Sequence, residues 1–275
     1  MLIRVSHLAT YRYDTPASSV IQILRQTPRN HDGQFVLNWR IDVSADCRLE
    51  EHEDAFGNIT HAFTVNGPLE TLKVLVEGEV ETRDTQGIVR GAVERFPPSL
   101  FLRETTLTQP GEAIAAFAAQ VRAETGDDAL KTLHLTLSRL HEELEYDAAQ
   151  ADSPKTASEA FAAKRGGCQD LAHIFIAAAR SLNIPARYIG GYCCRDDGAD
   201  GQQAGHAWAE AFVPKLGWVA FDAANGICAT EAHVRVAVGL DCLGAAPVRG
   251  THYGGGEETL TVELQVDQAG RQVQS

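Results

Sequence analysis

Several things that this 275-residue sequence lacks narrow its identity before any motif is read. It has no apolar run near the roughly 20 residues that a membrane-spanning helix needs; on its central apolar helical segment the longest covers residues 174–179. Its start, MLIRVSH, alternates like a strand and lacks the long apolar core of a signal peptide, so a cytoplasmic address is expected. Basic residues are scarce: 24 Lys and Arg stand against 37 Asp and Glu, for a formal charge of −13, and no basic cluster is visible. Such a chain repels nucleic acid and anionic membrane on average, and neither is expected as a partner. The six cysteines, at 47, 168, 193, 194, 228 and 242, contain no Cys-x-x-Cys pair and no disulfide-framework spacing. Cys193 and Cys194 are adjacent and would face opposite ways on a strand. No metal and no organic cofactor is therefore implied. There is no fixed-period repeat.

The length suffices for one large domain or two modest ones, without staples. Up to about residue 82 the chain reads as strand after strand, with VIQILRQTP, FVLNWRIDVS, NITHAFTVNG and LKVLVEGEVET separated by Gly, Pro, Asn and Asp. The spacing predicts an all-β N-terminal domain over 1–85, then a proline-broken connector over 86–110. Helical periodicity follows at 111–125 and 129–146, where Ala and Leu dominate amphipathic patterns. A capping pattern, Thr156 with Glu159 three residues later, starts a short helix. Beyond it ARYIGGYCC, GHAWAEAFV, WVAFD, HVRVAVG and TLTVELQVD supply strands for an antiparallel sheet facing a helix. The acidic, Gly-rich stretch 196–205 reads as a loop. An α+β second domain over 111–275 is expected.

The densest chemistry lies in KRGGCQDLAH at 164–173. Cys168 follows a double glycine and begins the run CQDLAHIFIAAARSL, whose Leu171, Phe175, Ala178, Ala179 and Leu182 recur at helical spacing. The first turn of a helix presents unpaired N–H groups and the positive end of its dipole, which favours negative charge on sulfur. Downstream, a histidine opens the strand of GHAWAEAFVP at 205–214 and an acid ends the strand of GWVAFD at 217–222. Only turn-forming residues separate the two, so they read as an antiparallel hairpin. Centred at residue 214, it makes His206 and Asp222 cross-strand neighbours, eight positions either side. Cys168 is then a candidate nucleophile, His206 its base, and Asp222 the acid that orients the imidazole.

At these residues the chain resembles the transglutaminase-like superfamily, whose papain-like core runs from a Cys-bearing helix to a His strand and an Asp strand. The resemblance rests on GGCQDLAH at 166–173, IPARYIGGY at 184–192, GHAWAEAFVP and GWVAFD. Upstream, Tyr11, Arg12, Tyr13, Pro16, LRQTP at 24–28 and DAFGN at 54–58 look like the β region that precedes this core in a bacterial branch. It implies a papain-like catalytic core over 111–275, with Cys168, His206 and Asp222 as its triad. It further implies cysteine-dependent acyl transfer, mostly hydrolysis of peptide or isopeptide-type bonds, on a peptide or protein substrate. A protein-crosslinking transamidase with the same triad, and a non-catalytic peptide-binding module, are the alternatives. The sequence departs from the branch where Ala223-Ala224-Asn225 replaces Pro-Thr-Asn and Gly239-Leu240-Asp241-Cys242 replaces Gly-Arg-Asp-Tyr.

Other polar residues have plainer explanations. His173 shares the helix with Cys168, but five positions rotate it about 140° away, so it reads as a core histidine, with Asp170 as a partner. Gln169 and Asp170 suit a helix start. Trp208, Trp218 and Tyr192 read as core, and Arg187 as an arginine bridging core segments.

Overall fold

The structure is a computed structural model and describes residues 1–147, 155–194 and 205–269. Two long strands, β1 (Leu2–Thr27) and β4 (Ile59–Thr82), run antiparallel along most of their length and organise the N-terminal region. Along the first part of β1 the odd residues Ile3, Val5, His7, Ala9, Tyr11 and Tyr13 are buried; beyond an irregularity between Ala17 and Ser19 the even residues Val20, Gln22, Leu24 and Gln26 are. A bulge adds one residue to one strand and so exchanges its faces. It keeps both halves of β1 turned to the interior. β2 (Gln34–Val43) and β3 (Glu50–Glu53) add to the outer edge of β4. The stretches VIQILRQTP, NITHAFTVNG and LKVLVEGEVET are thus parts of two continuous strands rather than separate ones.

The core sheet begins with β5 (Ile88–Val89), and two short 3-10 turns, Pro98–Leu102 and Thr106–Thr108, lead to the helices. These are α1 (Gly111–Thr125) and α2 (Ala129–Glu143), followed by the pair β6 (Glu145–Tyr146) and β7 (Arg165–Gly166) flanking α3 (Ala157–Ala163). α2 ends three residues before its pattern does because Glu145 and Tyr146 pair with Arg165 and Gly166. Thr156 caps α3 as expected, its Oγ1 accepting the Glu159 N–H. Ser153 and Pro154, and the expected loop at 196–205 apart from Gly205, lie outside the described residues.

α4 (Cys168–Ser181) is the hub. Residues 170–180 are all buried, because Ala172, Ala177, Ala178 and Ala179 are small enough for neighbours to approach on every side. α1, α2 and α3 cover one side of it and the antiparallel sheet the other. That sheet runs β11 (Ile227–Cys228), β10 (Gly217–Asp222), β9 (His206–Val213), β8 (Ala186–Cys193), β12 (His233–Gly239), with β5 also on β10. Among the described residues no helix is long and apolar enough to cross a membrane.

One expected strand goes elsewhere. β13 (Val248–Gly254) and β14 (Glu258–Gln268), the latter containing TLTVELQVD, pair with β1 rather than with the sheet facing α4. The reason is pattern: β14 is exposed on most of its length, and its Leu264 and Val266 reach the core only at one end, so it suits a sheet edge.

Arg187 bridges core segments, as its sequence context suggested. Its guanidinium bonds Glu210 on β9 at 2.7 Å and Glu94 before the first 3-10 turn at 2.7 and 2.9 Å, and lies 3.8 Å from the Trp218 ring centroid. Arg235 on β12 binds the same Glu210 at 2.7 Å. Burial works against the Glu210 charge, but Arg235 and Arg187 outweigh it and hold the carboxyl at about 2, below its ordinary 4.5. Removing Arg187 leaves the fully buried Glu210 with half of its counter-charge. Arg187→Met should therefore cost about 3 kcal/mol or more in urea unfolding. A carboxyl that ionises more readily when folded stabilises the fold above its unfolded pKa and loses that contribution as pH falls through the folded value. Unfolding titrations should show stability falling between about pH 4.5 and 2, a slope that Glu210→Gln reduces.

Candidate active site

Gly167 is extended and Cys168 opens α4, so the sulfur sits in the first turn, half-buried. Asp170 folds back to accept the Gly167 N–H at 3.1 Å and the Lys155 N–H at 3.4 Å. A Cβ on residue 166 would lie 2.7 Å from the Asp170 Cβ, so the first glycine of the pair permits this cap. Burial raises the Asp170 carboxyl despite those bonds.

His206 lies between sulfur and carboxylate. Its Nε2 donates to Asp222 Oδ2 at 2.7 Å, and the Cys168 sulfur is near enough to favour a charged ring. With Nε2 committed to the acid, Nδ1 is left to exchange a proton with Sγ. Burial opposes a charged ring, but the bonds and charges of Asp222 and Cys168 overcome it and raise His206 to about 10 from 6.5. Sequence reasoning thus named three residues that the fold brings together, although the hairpin register differs. Val213 faces Gly217 and Phe221 faces Ala209, which centres the hairpin at 215 rather than 214. Lys215 and Gly217 take positive φ in this turn. Asp222 is consequently a diagonal rather than a direct neighbour of His206, but a two-residue offset keeps both on one face.

Asp222 is fully buried and accepts from every side. Besides His206, its Oδ2 accepts from Asn225 Nδ2 at 2.6 Å and His233 Nε2 at 3.0 Å, and its Oδ1 from the Ala224 and Asn225 N–H groups at 3.1 and 3.2 Å. Burial penalises the charge, yet these donors hold the carboxyl well below the ordinary carboxylate range. Asn225, retained in the Ala-Ala-Asn departure, is one of them. His233 was not anticipated, although it opens an apolar strand as His206 does. The Thr230 N–H points at its Nδ1 at 3.1 Å, which excludes a proton there and fixes the donor on Nε2.

That tautomer also decides a metal question. Donor atoms of Cys193, His206 and His233 lie within 4.8 Å of one another. His233, however, spends one nitrogen on Thr230 and the other on Asp222, leaving no lone pair for a cation. Cys193 lies 3.9 Å from that same Nε2, whose proton is already given to Asp222, so His233 does not serve it as a base.

His173 is buried and accepts the Cys242 N–H at 3.0 Å, while Asp170 caps the helix, which corrects their expected pairing. Asp241 of the Gly-Leu-Asp-Cys departure accepts the Gly244 N–H at 2.8 Å. Trp208 and Trp218 are core. His206 and Gln169 line a cavity of about 460 Å³ between β1 and β14 on one side and β8, β9 and β12 on the other.

Residues 115–223 match the transglutaminase-like superfamily and residues 3–81 the bacterial transglutaminase-like N-terminal region. In this order the two segments show that the chain belongs to the transglutaminase-like superfamily. An uncharacterized protein of Mycobacterium leprae is 27% identical over 277 residues, covering 96% of this chain and 97% of its own. One of Mycobacterium tuberculosis is 25% identical over 298 residues, covering 96% and 91%. The crystal structure of a candidate cysteine protease from Cytophaga hutchinsonii superposes with a TM-score of 0.75 at 20% identity, over 99% of this chain and 92% of that one, and shares the fold.

If Asp222 is what keeps His206 charged, Asp222→Asn should lower the His206 titration from about 10 toward or below 6.5, read from its imidazole proton signals by NMR.

Proposed function

We propose that the protein is a cysteine-dependent hydrolase of peptide or amide bonds. The observation that supports this most is His206 held between the Cys168 sulfur and the ionised Asp222. With the shared proton already resting on His206, Sγ attacks the carbonyl carbon. His206 then returns that proton to the amine as the C–N bond breaks, leaving a thioester on Cys168 and a free amine. Water, with His206 as base, adds to the thioester and releases the acid and the thiol. Throughout, Asp222 stabilises the imidazolium and fixes its orientation. The Cys168 N–H, at the helix start, suits one arm of an oxyanion hole.

The same triad serves transfer to an amine, which needs a site that keeps water from the thioester. A cavity of about 460 Å³ beside His206 favours hydrolysis. Free thiols at Cys47, Cys168, Cys193, Cys228 and Cys242 suit the reducing cytoplasm, where a peptide or protein is the substrate we envisage.

Two measurements test the reading. Burial pushes the Cys242 thiol up to about 12 and raises Cys47 and Cys228 as well. Near neutral pH iodoacetamide should alkylate Cys168 at least tenfold faster than these, by peptide mass mapping. Equal rates would remove the nucleophile. Incubation of peptide and glutamine-amide libraries with wild type and Cys168→Ala should give hydrolysed products with wild type alone; amine-linked products would instead assign a transamidase.

A further inference from the structure

The cavity beside His206 is walled on one side by the N-terminal sheet, through two polar residues that the proposed chemistry does not use. His7 and Gln26 both lie on the buried face of β1 and both line it. His7 Nδ1 accepts from Tyr192 Oη at 3.1 Å and from Gln26 Nε2 at 3.3 Å, which places the His7 proton on Nε2. Tyr192 is next in sequence to Gly191, the residue paired with His206, so this chain of bonds begins one position from the reactive imidazole. Gln26 is 2% exposed, and its Oε1 has no partner among the described residues. A buried, unmet amide oxygen costs about 1–3 kcal/mol, and a ligand N–H recovers it once the Gln26 amide turns toward the cavity, since Oε1 itself has almost no accessible surface.

The two side chains together offer one donor and one acceptor, the complement of a backbone amide. The rest of the wall is uncharged in effect. Val236, Leu260 and Val262 contribute apolar surface, and the Arg25 charge is balanced by Asp54, which its Nε bonds at 2.9 Å. The volume, about 460 Å³, lies within the roughly 300–1,000 Å³ of ligand sites. Gly191 keeps the floor open to β12: a Cβ there would meet Val234 O at 2.1 Å.

We propose that this cavity is the peptide-binding subsite, taking an uncharged segment with an apolar side chain, with His7 Nε2–H bonding its carbonyl and Gln26 Oε1 its N–H. This rests on the hydrolase reading for its substrate class, and it gives the N-terminal sheet a direct part in recognition. Burial holds His7 at about 4, so it stays neutral and its Nε2–H remains a donor between pH 5 and 8.

The test uses full-length Cys168→Ala protein, which binds without turnover, titrated with acetyl-Ala-X-Ala-amide peptides followed by NMR. Peptides with Leu at X should bind at least fivefold tighter than those with Glu or Lys. Gln26→Met, which keeps the shape and removes the acceptor, should weaken the Leu peptide about fivefold, and His7→Phe should do likewise. Melting curves establish that each variant is folded, and Gln26→Leu replaces Gln26→Met if it is not. No preference at X, or unchanged affinity in folded variants, overturns the proposal. Fast alkylation of Cys168 with no peptide binding would overturn this subsite and leave the hydrolase reading standing; peptide binding with an ordinary Cys168 would do the reverse.

Discussion

The candidate site is arranged around a single buried carboxylate. Asp222 has no solvent to support its charge, and five donors from four residues take that role: two imidazoles, one side-chain amide and two backbone N–H groups. An anion held this firmly acts as a fixed charge, and His206 is cationic because of it. The residues that converge there come from β9, β10, β12 and the turn after β10. The core sheet is therefore as much a holder for one anion as it is a packing layer for α4.

Much of the site was legible in the sequence because its parts are locally encoded. A double glycine before an apolar helix announces an exposed first turn, and a short loop between two apolar strands announces a hairpin. Even a register misread by two positions kept His206 and Asp222 on one face, since strand side chains alternate with a period of 2. His233 was hidden for the opposite reason. Its role comes from β12 lying beside β8, which sets it against Cys193, 40 residues earlier in the chain, and from a backbone N–H that selects its tautomer.

The fold was legible to the same depth. Strand and helix content followed from periodicity, but which sheet β14 joins did not, because an alternating edge strand carries no label for its partner. Nor does a sequence pattern show that two predicted strands are halves of one, as in β4. The cluster of Arg187, Glu210 and Arg235, with the exposed Glu94 at its rim, shows a related limit. Arg187 could be named as a bridge, while its acidic partners were fixed only by the sheet that brings β8, β9 and β12 together.

The placement of the last two strands orders the birth of the molecule. β1 is made well before β13 and β14 and yet waits for them to complete its sheet. Helix α4 and the hairpin after it are synthesised in the interval, so the sulfur and imidazole can meet while Leu260 and Val262 are still missing from the neighbouring cleft. A nascent chain in that condition already holds Cys168 near His206, while the wall of the cleft beside them is complete only once β14 has been made.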